Sequence, residues 1–402
     1  MKYFQIVLGL LPTALAASIY VSTTGSSSGS GSITSPLNSI QSAVNLAKPG
    51  DTIYLRGGTY SPTSNIQITK SGTASQPYAL RAYQGEKVII DGEALPGPPA
   101  NENRTPAPLD ASLPNADRGI LHIQNANYWQ FYDLELIHGP YGVYARDSSN
   151  NRYERLITRD NYETGFQLEG ASSNNKVLYL DSYGNRDPRK NGESADGFAC
   201  KEGSGEGNLL KGARLWNNVD DGLDLWEFKS AVTIQDTISW GNGYNRYITK
   251  WGFSPFEGDG NGFKLGGGDA ADKGPANHVI TNCIAFGNSK DGFTDNSQTG
   301  DFTLSRNTAW NNAKVGFKFN TAVATLKGNV AAINGESATA LSSKQISSGN
   351  SWDGSASWSN SSFKSVDVSL VQGARQADGR IKASDFLLPK SGEAIGATTV
   401  WT

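Results

Sequence analysis

The chain repeats itself at an interval of about 24 residues, and this self-similarity constrains the fold more than any other feature. One column of the repeat is an asparagine after a hydrophobic stretch, at Asn161, Asn185, Asn218, Asn242, Asn288 and Asn312. A second column is a glycine followed by an apolar residue, at Gly142, Gly165, Gly197, Gly222, Gly262, Gly292 and Gly316. By subtraction, the asparagine steps are 24, 33, 24, 46 and 24 residues, so two units carry extra length. A fixed period of this size is the signature of a solenoid.

The residue types in the repeat favour an all-β solenoid, a right-handed parallel β-helix. A leucine-rich repeat would show leucines at fixed offsets and a helical segment in each unit, whereas these units are rich in glycine, asparagine and β-branched or aromatic residues. After each glycine, apolar and polar positions alternate, as expected for strands with one buried face. Asp295 is the exception, because it falls on an apolar position. The stacked asparagines are expected to form a ladder of side-chain amides at one turn.

The two ends of the chain depart from the repeat. Residues 1–17 combine a charged start, an apolar run and an A-x-A cleavage sequence, which predicts a secretion signal. Residues 18–402 are expected to form a single β-helix domain. Apolar residues at helical spacing predict a short N-terminal capping helix over Ser39–Ala47. The repeat fades after Asn334, so a C-terminal extension is expected from about residue 335.

Net charge and cysteine content argue against some partners and against a disulfide bond. The formal net charge is −3, which argues against a nucleic-acid or anionic-membrane partner. Cys200 and Cys283 would lie two coils apart, roughly 10 Å, which is too far for a disulfide, so two buried free thiols are expected. From the predicted secretion signal, the protein is expected to be secreted and extracellular, and it is expected to be monomeric. Asn103 and Asn360 begin glycosylation sequons, which a eukaryotic host could use.

The repeat brings five functional side chains together. Asp196 and Asp221 each precede the glycine of consecutive coils, and Asp220 lies beside Asp221. Asp224 and Lys264 share one outward position on consecutive coils, with backbones about 5 Å apart. Four carboxylates on one face would repel one another and raise one or more of their pKa values. Calcium would relieve this repulsion because it takes about six to eight oxygen ligands; zinc is disfavoured, since neither histidine nor cysteine lies in the pattern.

A lysine beside bound calcium is predicted to act as a base. A nearby cation disfavours the ammonium form, so the pKa of Lys264 is expected to fall. Calcium with a neutral lysine suits β-elimination on a uronate, in which the ion binds the sugar carboxylate, Lys264 removes the C5 proton and the bond to O4 breaks. Two simpler interpretations stay open. Aspartate before glycine is common in turns, and Lys264 could be a surface salt-bridge partner of Asp224.

Aromatic residues form two further groups. One stands two positions before the asparagines and is either a platform for sugar rings or, as we favour, a stack that belongs to the wall of the solenoid: Tyr183, Trp216, Trp240, Phe286 and Trp310. The other lies in the long stretch between Asp224 and Lys264, where it could reshape a substrate groove: Tyr244, Tyr247, Trp251, Phe253 and Phe256.

Several motifs of this chain resemble polysaccharide lyase family nine. They are A-D-G-F-A-C-K (195–201), N-V-D-D-G-L-D-L (218–225), G-N-G-F-K-L-G-G (260–267), K-P-G-D-T-I-Y-L-R-G-G-T-Y (48–60) and S-K-D-G-F-T-D-N (289–296). The resemblance covers nearly the whole mature chain. It implies a calcium-dependent lyase that cleaves pectate, (1,4)-α-D-galacturonan, to 4,5-unsaturated oligogalacturonates. By motif, the family's calcium ligands match Asp196, Asp220, Asp221 and Asp224, and its base matches Lys264.

The resemblance leaves the substrate open between two acidic plant cell-wall polysaccharides, because the family includes lyases for homogalacturonan and for rhamnogalacturonan I. A β-helical pectin hydrolase would use a carboxylate pair such as Asp220 and Asp221, but such hydrolases resemble one another in a Gly-His-Gly motif that this chain lacks. A non-catalytic carbohydrate-binding β-helix would not need Lys264.

Five polar residues are candidate substrate contacts, and any of them could equally be plain solvated surface: Lys201, Arg246, Asp295, Asn296 and Lys318.

Overall fold

A computed structural model describes residues 16–95, 113–246, 253–269 and 274–399. Nearly all of the expected secretion signal lies outside these residues, as do Asn103, Tyr247 and Trp251. Strands are numbered β1–β32 and helices α1–α2 in chain order. None of the helices in the described part of the chain is long and apolar enough to span a membrane.

The strands form three parallel sheets, and each regular coil contributes one strand to each sheet. Sheet I contains β1 Ser18–Ser26, β2 Thr52–Leu55, β5 Tyr78–Ala82, β8 Trp129–Tyr132, β11 Arg152–Glu154, β14 Lys176–Leu178, β17 Asn208–Lys211, β20 Val232–Gln235, β23 Val279–Thr281, β26 Asp301–Ser305, β29 Val323–Lys327 and β32 Ile346–Ser348. Sheet II contains β4 Ile66–Ile68, β7 Leu121–Gln124, β10 Val143–Arg146, β13 Phe166–Gly170, β16 Phe198–Gly203, β19 Leu223–Asp224, β22 Phe263–Lys264, β25 Phe293–Thr294, β28 Val315–Phe319 and β31 Ser337–Leu341. Sheet III contains β3 Gly58–Tyr60, β6 Val88–Asp91, β9 Glu135–Ile137, β12 Ile157–Arg159, β15 Asp181–Tyr183, β18 Arg214–Trp216, β21 Ile238–Trp240, β24 Ile284–Phe286, β27 Thr308–Trp310 and β30 Val330–Ala332.

Each coil runs from sheet II through sheet I to sheet III and returns to sheet II one level further along. The prediction of a parallel β-helix is therefore confirmed. The residue after each repeat glycine points into the interior, where like side chains stack on one another. Phe293, for example, stacks on Phe263 with ring centroids 4.6 Å apart and on Phe317 at 4.8 Å. The two cysteines are buried free thiols, as expected.

The asparagine column forms the expected amide ladder at the turn from sheet III to sheet II. Asn185 Nδ2 donates to Asn218 Oδ1 at 2.8 Å, and Asn218 Nδ2 donates to Asn242 Oδ1 at 3.1 Å. These side chains are fully buried, so the ladder supplies hydrogen bonds that water cannot reach. A second ladder, which the sequence analysis did not identify, joins Asn307 to Asn329 and Asn329 to Asn350.

The N-terminal end is closed by the predicted capping helix. Helix α1 spans Ile40–Leu46, and the hydroxyl of Ser39 accepts a hydrogen bond from the backbone N–H of Ser42, which caps its first turn. Its buried face, with Ile40 and Val44 among others, packs on the first coil. Other short helices in the described residues are α2 Ser369–Gln372 and the 3₁₀ turns Gly92–Ala94, Asn115–Asp117 and Asn360–Ser362.

The coils continue further than expected at the C-terminal end. β31 and β32 still pair with the preceding coil, although their sequence no longer shows the repeat glycine and aromatic residue. The extension therefore starts after Ser348 rather than near residue 335. It then covers the aromatic column of sheet III, where Phe386 packs on Phe286 and Trp310. The column stacks as part of the wall, with Trp216 and Trp240 rings 5.0 Å apart.

A buried ion-pair network fastens the extension to sheet III. The carboxylate of Asp181 binds the guanidinium of Arg214 on the next coil and that of Arg375 from the extension, each at 2.6 Å. Arg375 also donates to the carbonyls of Leu180 and Gly212, both at 2.9 Å. These contacts join residues far apart in the sequence, so the extension and the coils are expected to unfold together.

Replacing Arg375 tests this attachment. Arg375→Met removes donors from buried acceptors and should lower the free energy of unfolding by roughly 3 kcal/mol, measured by thermal and urea unfolding. The matched control is Arg380→Met in the same extension, where the ion pair with Asp378 is exposed and should contribute about 0–1 kcal/mol. Equal effects of the two substitutions would contradict the proposed attachment.

Candidate metal and base site

The register of sheet II places the predicted site residues side by side. β19 pairs with β22 so that Asp224 lies directly opposite Lys264. The backbone N–H of Gly197 donates to the carbonyl of Asp221, which places Asp196 one coil away from Asp221 in the same column. The expected stacking of both pairs is therefore observed. Each of these side chains stands on a strand or turn whose backbone is hydrogen-bonded to the adjacent coils.

Asp196 and Asp221 each use one carboxylate oxygen for anchoring. Asp221 Oδ1 accepts hydrogen bonds from the backbone N–H and the side-chain amide of Asn261, at 2.6 and 2.9 Å. Asp196 Oδ2 accepts one from the hydroxyl of Thr164 at 3.1 Å. The remaining oxygens, Asp196 Oδ1 and Asp221 Oδ2, are buried and receive no hydrogen bond. Both side chains are 0 % exposed. The Lys264 ammonium lies 3.1 Å from Asp221 Oδ2, whereas Asp196 Oδ1 is a buried carboxylate oxygen that would be stabilised by a further cation.

A fifth acid, Asp259, joins the site and was missed by the sequence analysis. It belongs to the extra residues that leave the coil at the turn between sheets III and II. Phe253 of this insertion packs on Val219, which fixes the insertion against the turn. The backbone N–H of Asp259 then donates to Asp220 Oδ1 at 2.6 Å. The repeat predicts only positions that recur in every coil, and Asp259 lies on a loop that occurs once. The repeat could therefore not predict it.

Lys264 lies among the carboxylates. Its Nζ is 3.1 Å from Asp221 Oδ2, 3.3 Å from Asp224 Oδ2 and 3.1 Å from Asp259 Oδ2. The ammonium also lies 5.4 Å from the centre of the Trp226 ring. The side chain is almost completely buried. The simple interpretation of Lys264 as an exposed partner of Asp224 alone is therefore wrong.

Lys201, expected to contact substrate, belongs to the same cluster. Its Nζ is 2.7 Å from both Asp196 Oδ2 and Asp224 Oδ2. Lys290 in turn contacts Asp259. The five carboxylates of the site thus face three ammonium groups, so with every group ionised the site would carry a formal excess of two negative charges.

Burial dominates the ionisation of the acids. It raises the pKa of Asp221 to about 7, against an opposing effect of the Lys264 ammonium. Burial and the neighbouring Asp221 charge raise the pKa of Asp220 well above its ordinary value. The pKa of Asp196 is also raised by burial, although Lys201 lowers it. The predicted repulsion among the acids is therefore present, and it favours a bound cation.

The pKa of Lys264 moves in the direction opposite to the one expected. Burial lowers it, but the surrounding carboxylates, Asp224 and Asp221 foremost and then Asp220 and Asp259, together outweigh burial and raise it well above its ordinary value. The expectation assumed a cation beside the lysine, whereas here the acids have only ammonium groups as counter-charges. Burial also lowers the pKa of Lys201, but the carboxylates of Asp196 and Asp224, with Asp220, outweigh it and raise that pKa.

The donor set fits a divalent cation that prefers oxygen. Carboxylate oxygens of Asp196, Asp221 and Asp224 lie within 4.8 Å of one another, and so do those of Asp220, Asp221 and Asp259. The buried Asp196 Oδ1, which receives no hydrogen bond, and the formal excess of two negative charges point the same way. All candidate ligands are oxygen atoms, as calcium prefers, and no histidine or cysteine of the described residues belongs to either group.

The other candidate substrate contacts are dispersed. Lys318 lies two coils beyond Lys264 in the same outward column and pairs with Asp291 at 3.2 Å. Asn296 donates to the carbonyl of Gly266 at 3.0 Å. Both remain accessible from the face of sheet II.

Arg246 and Asp295 are engaged elsewhere. Arg246 donates to Asn217 Oδ1 and the carbonyl of Gly241 at the end of sheet III. Asp295 is buried, and its Oδ2 accepts from the backbone N–H groups of Thr321 and Ala322 at 2.7 and 3.0 Å. Asp295 thus fastens a turn of the next coil, which explains its inward position in the repeat and leaves it no access to a ligand.

Comparison with known proteins gives a consistent family. Residues 19–334 match a family model described as Pel9A-like, right handed beta helix region. The curated pectate lyase PEL9 of Emericella nidulans is 71% identical over 417 residues, covering 100% of this chain and 99% of the relative. Pectate lyase L of Dickeya chrysanthemi is 33% identical over 394 residues, covering 94% of this chain and 85% of the relative.

Two solved structures share the fold. The crystal structure of pectate lyase Pel9A matches with a TM-score of 0.77 and 30% identity, covering 94% of this chain and 90% of that one. A rhamnogalacturonan lyase structure matches with a TM-score of 0.79 at 24% identity, covering 95% and 99%; at that identity the likeness speaks for the fold alone. The expected right-handed β-helix and the expected family resemblance are both confirmed. The chain belongs to the Pel9A-like right-handed β-helix family.

Proposed function

We propose that this protein is a secreted, calcium-dependent pectate lyase that cleaves (1,4)-α-D-galacturonan by β-elimination and leaves 4,5-unsaturated oligogalacturonates. The observation that carries the proposal is a buried lysine in direct contact with an acidic cluster, because Lys264 Nζ lies within 3.3 Å of both Asp221 and Asp224. A base next to a cation site is what proton removal beside a carboxylate requires. The relatives named pectate lyase support the same activity.

In this proposal the calcium ligands are Asp196, Asp220, Asp221 and Asp224. A bound calcium ion would hold the uronate carboxylate and withdraw charge from it, which makes the C5 proton more acidic. Asp224 and Asp221 are also the first among the carboxylates that raise the pKa of Lys264. Binding of a cation there would take up part of the negative charge that keeps Lys264 protonated, so ion binding and activation of the base are coupled.

Lys264 is the proposed base. Its Nζ accepts the C5 proton, the electron pair of the C–H bond forms the C4–C5 double bond, and the C4–O4 bond breaks. O4 leaves on the neighbouring sugar and takes a proton from solvent. No water is added across the bond, and the chain needs no further redox or group-transfer partner. The burial of Lys264 limits access of water to the amine.

Several further properties belong to the same proposal. Residues 1–17 act as a secretion signal, and the rest forms one extracellular, monomeric domain that includes the C-terminal extension. Asn360 is exposed, as is the following residue of its sequon, Ser361. The Asn360 side chain is therefore available for glycosylation. Lys318 and Asn296 line the route of the polysaccharide along sheet II, whereas Lys201 acts on substrate only through the cluster.

Substitution of Lys264 tests the base. Lys264→Ala should lower the rate of formation of unsaturated product from polygalacturonate by about 10²–10⁴-fold, followed by the ultraviolet absorbance of the 4,5-unsaturated ends, while calorimetry shows that calcium still binds. Lys211→Ala, which removes a lysine paired with Asp236 outside the site, is the matched control. Full activity of Lys264→Ala would exclude this residue as the base.

The same assay separates the alternative functions. Unsaturated product from rhamnogalacturonan I but not from polygalacturonate would assign the alternative substrate. Release of reducing ends without unsaturated product would indicate a hydrolase, and binding without cleavage would indicate a carbohydrate-binding β-helix.

Calcium dependence is tested by removal and by substitution. EDTA should abolish activity and calcium should restore it, with magnesium less effective because it accepts fewer carboxylates and keeps its water.

Substitution of Asp221 tests whether this residue is a calcium ligand. Asp221→Asn keeps the shape of the side chain but removes its charge, and it should weaken calcium binding by about tenfold or more, measured by calorimetry. Asp236→Asn is the control. Unchanged affinity in Asp221→Asn would show that the ion, if bound, lies elsewhere.

The pKa of Asp221 predicts how the stability of the calcium-free protein depends on pH. Its pKa rises from 3.8 to about 7 on folding, so between these values the folded state binds more protons than the unfolded state. The free energy of unfolding should therefore fall as the pH rises from about 4 to about 7 in EDTA. Added calcium should stabilise the protein more at pH above 7 than at pH 5. The effect should shrink in Asp221→Asn; an undiminished pH dependence there would assign it to other groups.

A further inference from the structure

A second charged cluster lies on sheet II, on the N-terminal side of the acidic site. Its centre is Glu169 on β13, which is 0 % exposed. Arg146 Nη1 donates to Glu169 Oε1 at 2.6 Å, and Arg118 Nη1 lies 3.3 Å from Oε2. Tyr144 and Gln167 donate to the same carboxylate at 2.8 and 2.7 Å. This buried carboxylate accepts from four donors, so it holds both guanidinium groups in place.

The two arginines keep unused donors at the surface. Their side chains are 21% and 34% exposed for Arg118 and Arg146. Arg118 Nε is buried, so only the Nη groups of this side chain can reach a ligand, and the guanidinium carbon lies 5.5 Å from the centre of the Tyr144 ring. Arg146 has one further ionic contact, Nε to Asp147 at 3.5 Å. A guanidinium offers five N–H donors, so each side chain can bind Glu169 and a second anion together.

The cluster shares its face with the proposed catalytic residues. Tyr144 and Gln167 occupy the same outward column as Lys264, because β10, β13, β16, β19 and β22 pair in register. Four coil steps separate Arg146 from Lys264, which corresponds to about 19 Å along the solenoid. Ala199 stands in this column between Gln167 and Asp224.

We propose that Arg118 and Arg146, held by Glu169, form a subsite that binds the carboxylate of a uronate unit several sugars away from the bond that is cleaved. The proposal rests on the proposed function, since it assumes a linear polyuronate along sheet II. The paired guanidinium groups match a carboxylate better than lysines would, because their planar donors can form two parallel hydrogen bonds. The subsite would make the protein prefer long anionic chains over short ones.

The test compares substrates of different length. In Arg118→Gln and Arg146→Gln, the KM for long oligogalacturonates should rise about tenfold, as expected for loss of one hydrogen bond to a charged group, while kcat changes little. Turnover of the shortest oligomers that the wild-type protein cleaves should be unchanged, because these cannot reach from Lys264 to the arginines. The rate advantage of long chains should therefore shrink in both variants.

Controls separate binding from folding. Arg152→Gln removes a comparable arginine, paired with Glu154 on sheet I, and should alter neither substrate class. Arg146→Lys keeps the charge and should restore part of the KM. An equal loss on short and long substrates would overturn the proposal in favour of a structural role, and an unchanged KM on long chains would also overturn it.

A binding measurement keeps this subsite distinguishable from the proposed function. Calorimetry with saturated oligogalacturonates is done on Lys264→Ala, alone and combined with Arg146→Gln. If the wild-type protein does not cleave galacturonan but long oligomers still bind more weakly in the double variant, the subsite stands and the lyase function fails. If the two proteins bind long oligomers equally, the subsite fails whatever the activity.

Discussion

Parallel pairing of each coil with the next in register is the constraint on which the rest of the structure depends. Apart from a register shift at the end of β13 and β16, the strands stack in register, so a residue at one repeat position lies directly above its counterpart in the following coil. Buried amides such as Asn185 and Asn218 then satisfy each other, and interior rings such as Phe263 and Phe293 stack. The same rule places side chains of unrelated chemistry next to one another on the outer face, and the acidic site arises in this way.

This constraint explains how much could be predicted. The repeat glycines and asparagines reveal the fold, and their register alone places Asp196 beside Asp221 and Asp224 beside Lys264. What does not recur is invisible to this reasoning. Asp259 sits on an insertion whose path depends on packing of Phe253 against one turn, and the coil formed by β31 and β32 has lost the marker residues while keeping its backbone pairing. The outward or inward direction of a side chain was predictable, but its hydrogen-bond partners, as at Asp295, were not.

The C-terminal extension shows a second way in which the fold is completed. The family match ends at residue 334, yet sheet III presents an aromatic column on its outer side that water would otherwise meet. Phe386 and its neighbours cover this column, and the pair of Arg375 with Asp181 holds the cover in place. Apolar burial is not directional, whereas the hydrogen bonds of Arg375 Nε and Nη2 to Asp181 Oδ1 are, so the ion pair determines where the segment lies.

The in-register stacking also explains why the charge of the proposed metal site and the protonation of the proposed base, Lys264, are coupled. Stacked acids repel each other in any β-helix, so a column such as Asp196 over Asp221 requires a cation. In this structure Lys201 and Lys264 supply it from neighbouring positions of the same sheet, and Asp224 contacts both. Any change that removes negative charge from the cluster therefore also changes how strongly Lys264 holds its proton. A lysine placed outside this column would lose that coupling, and the acids would then bind an ion without any effect on the base.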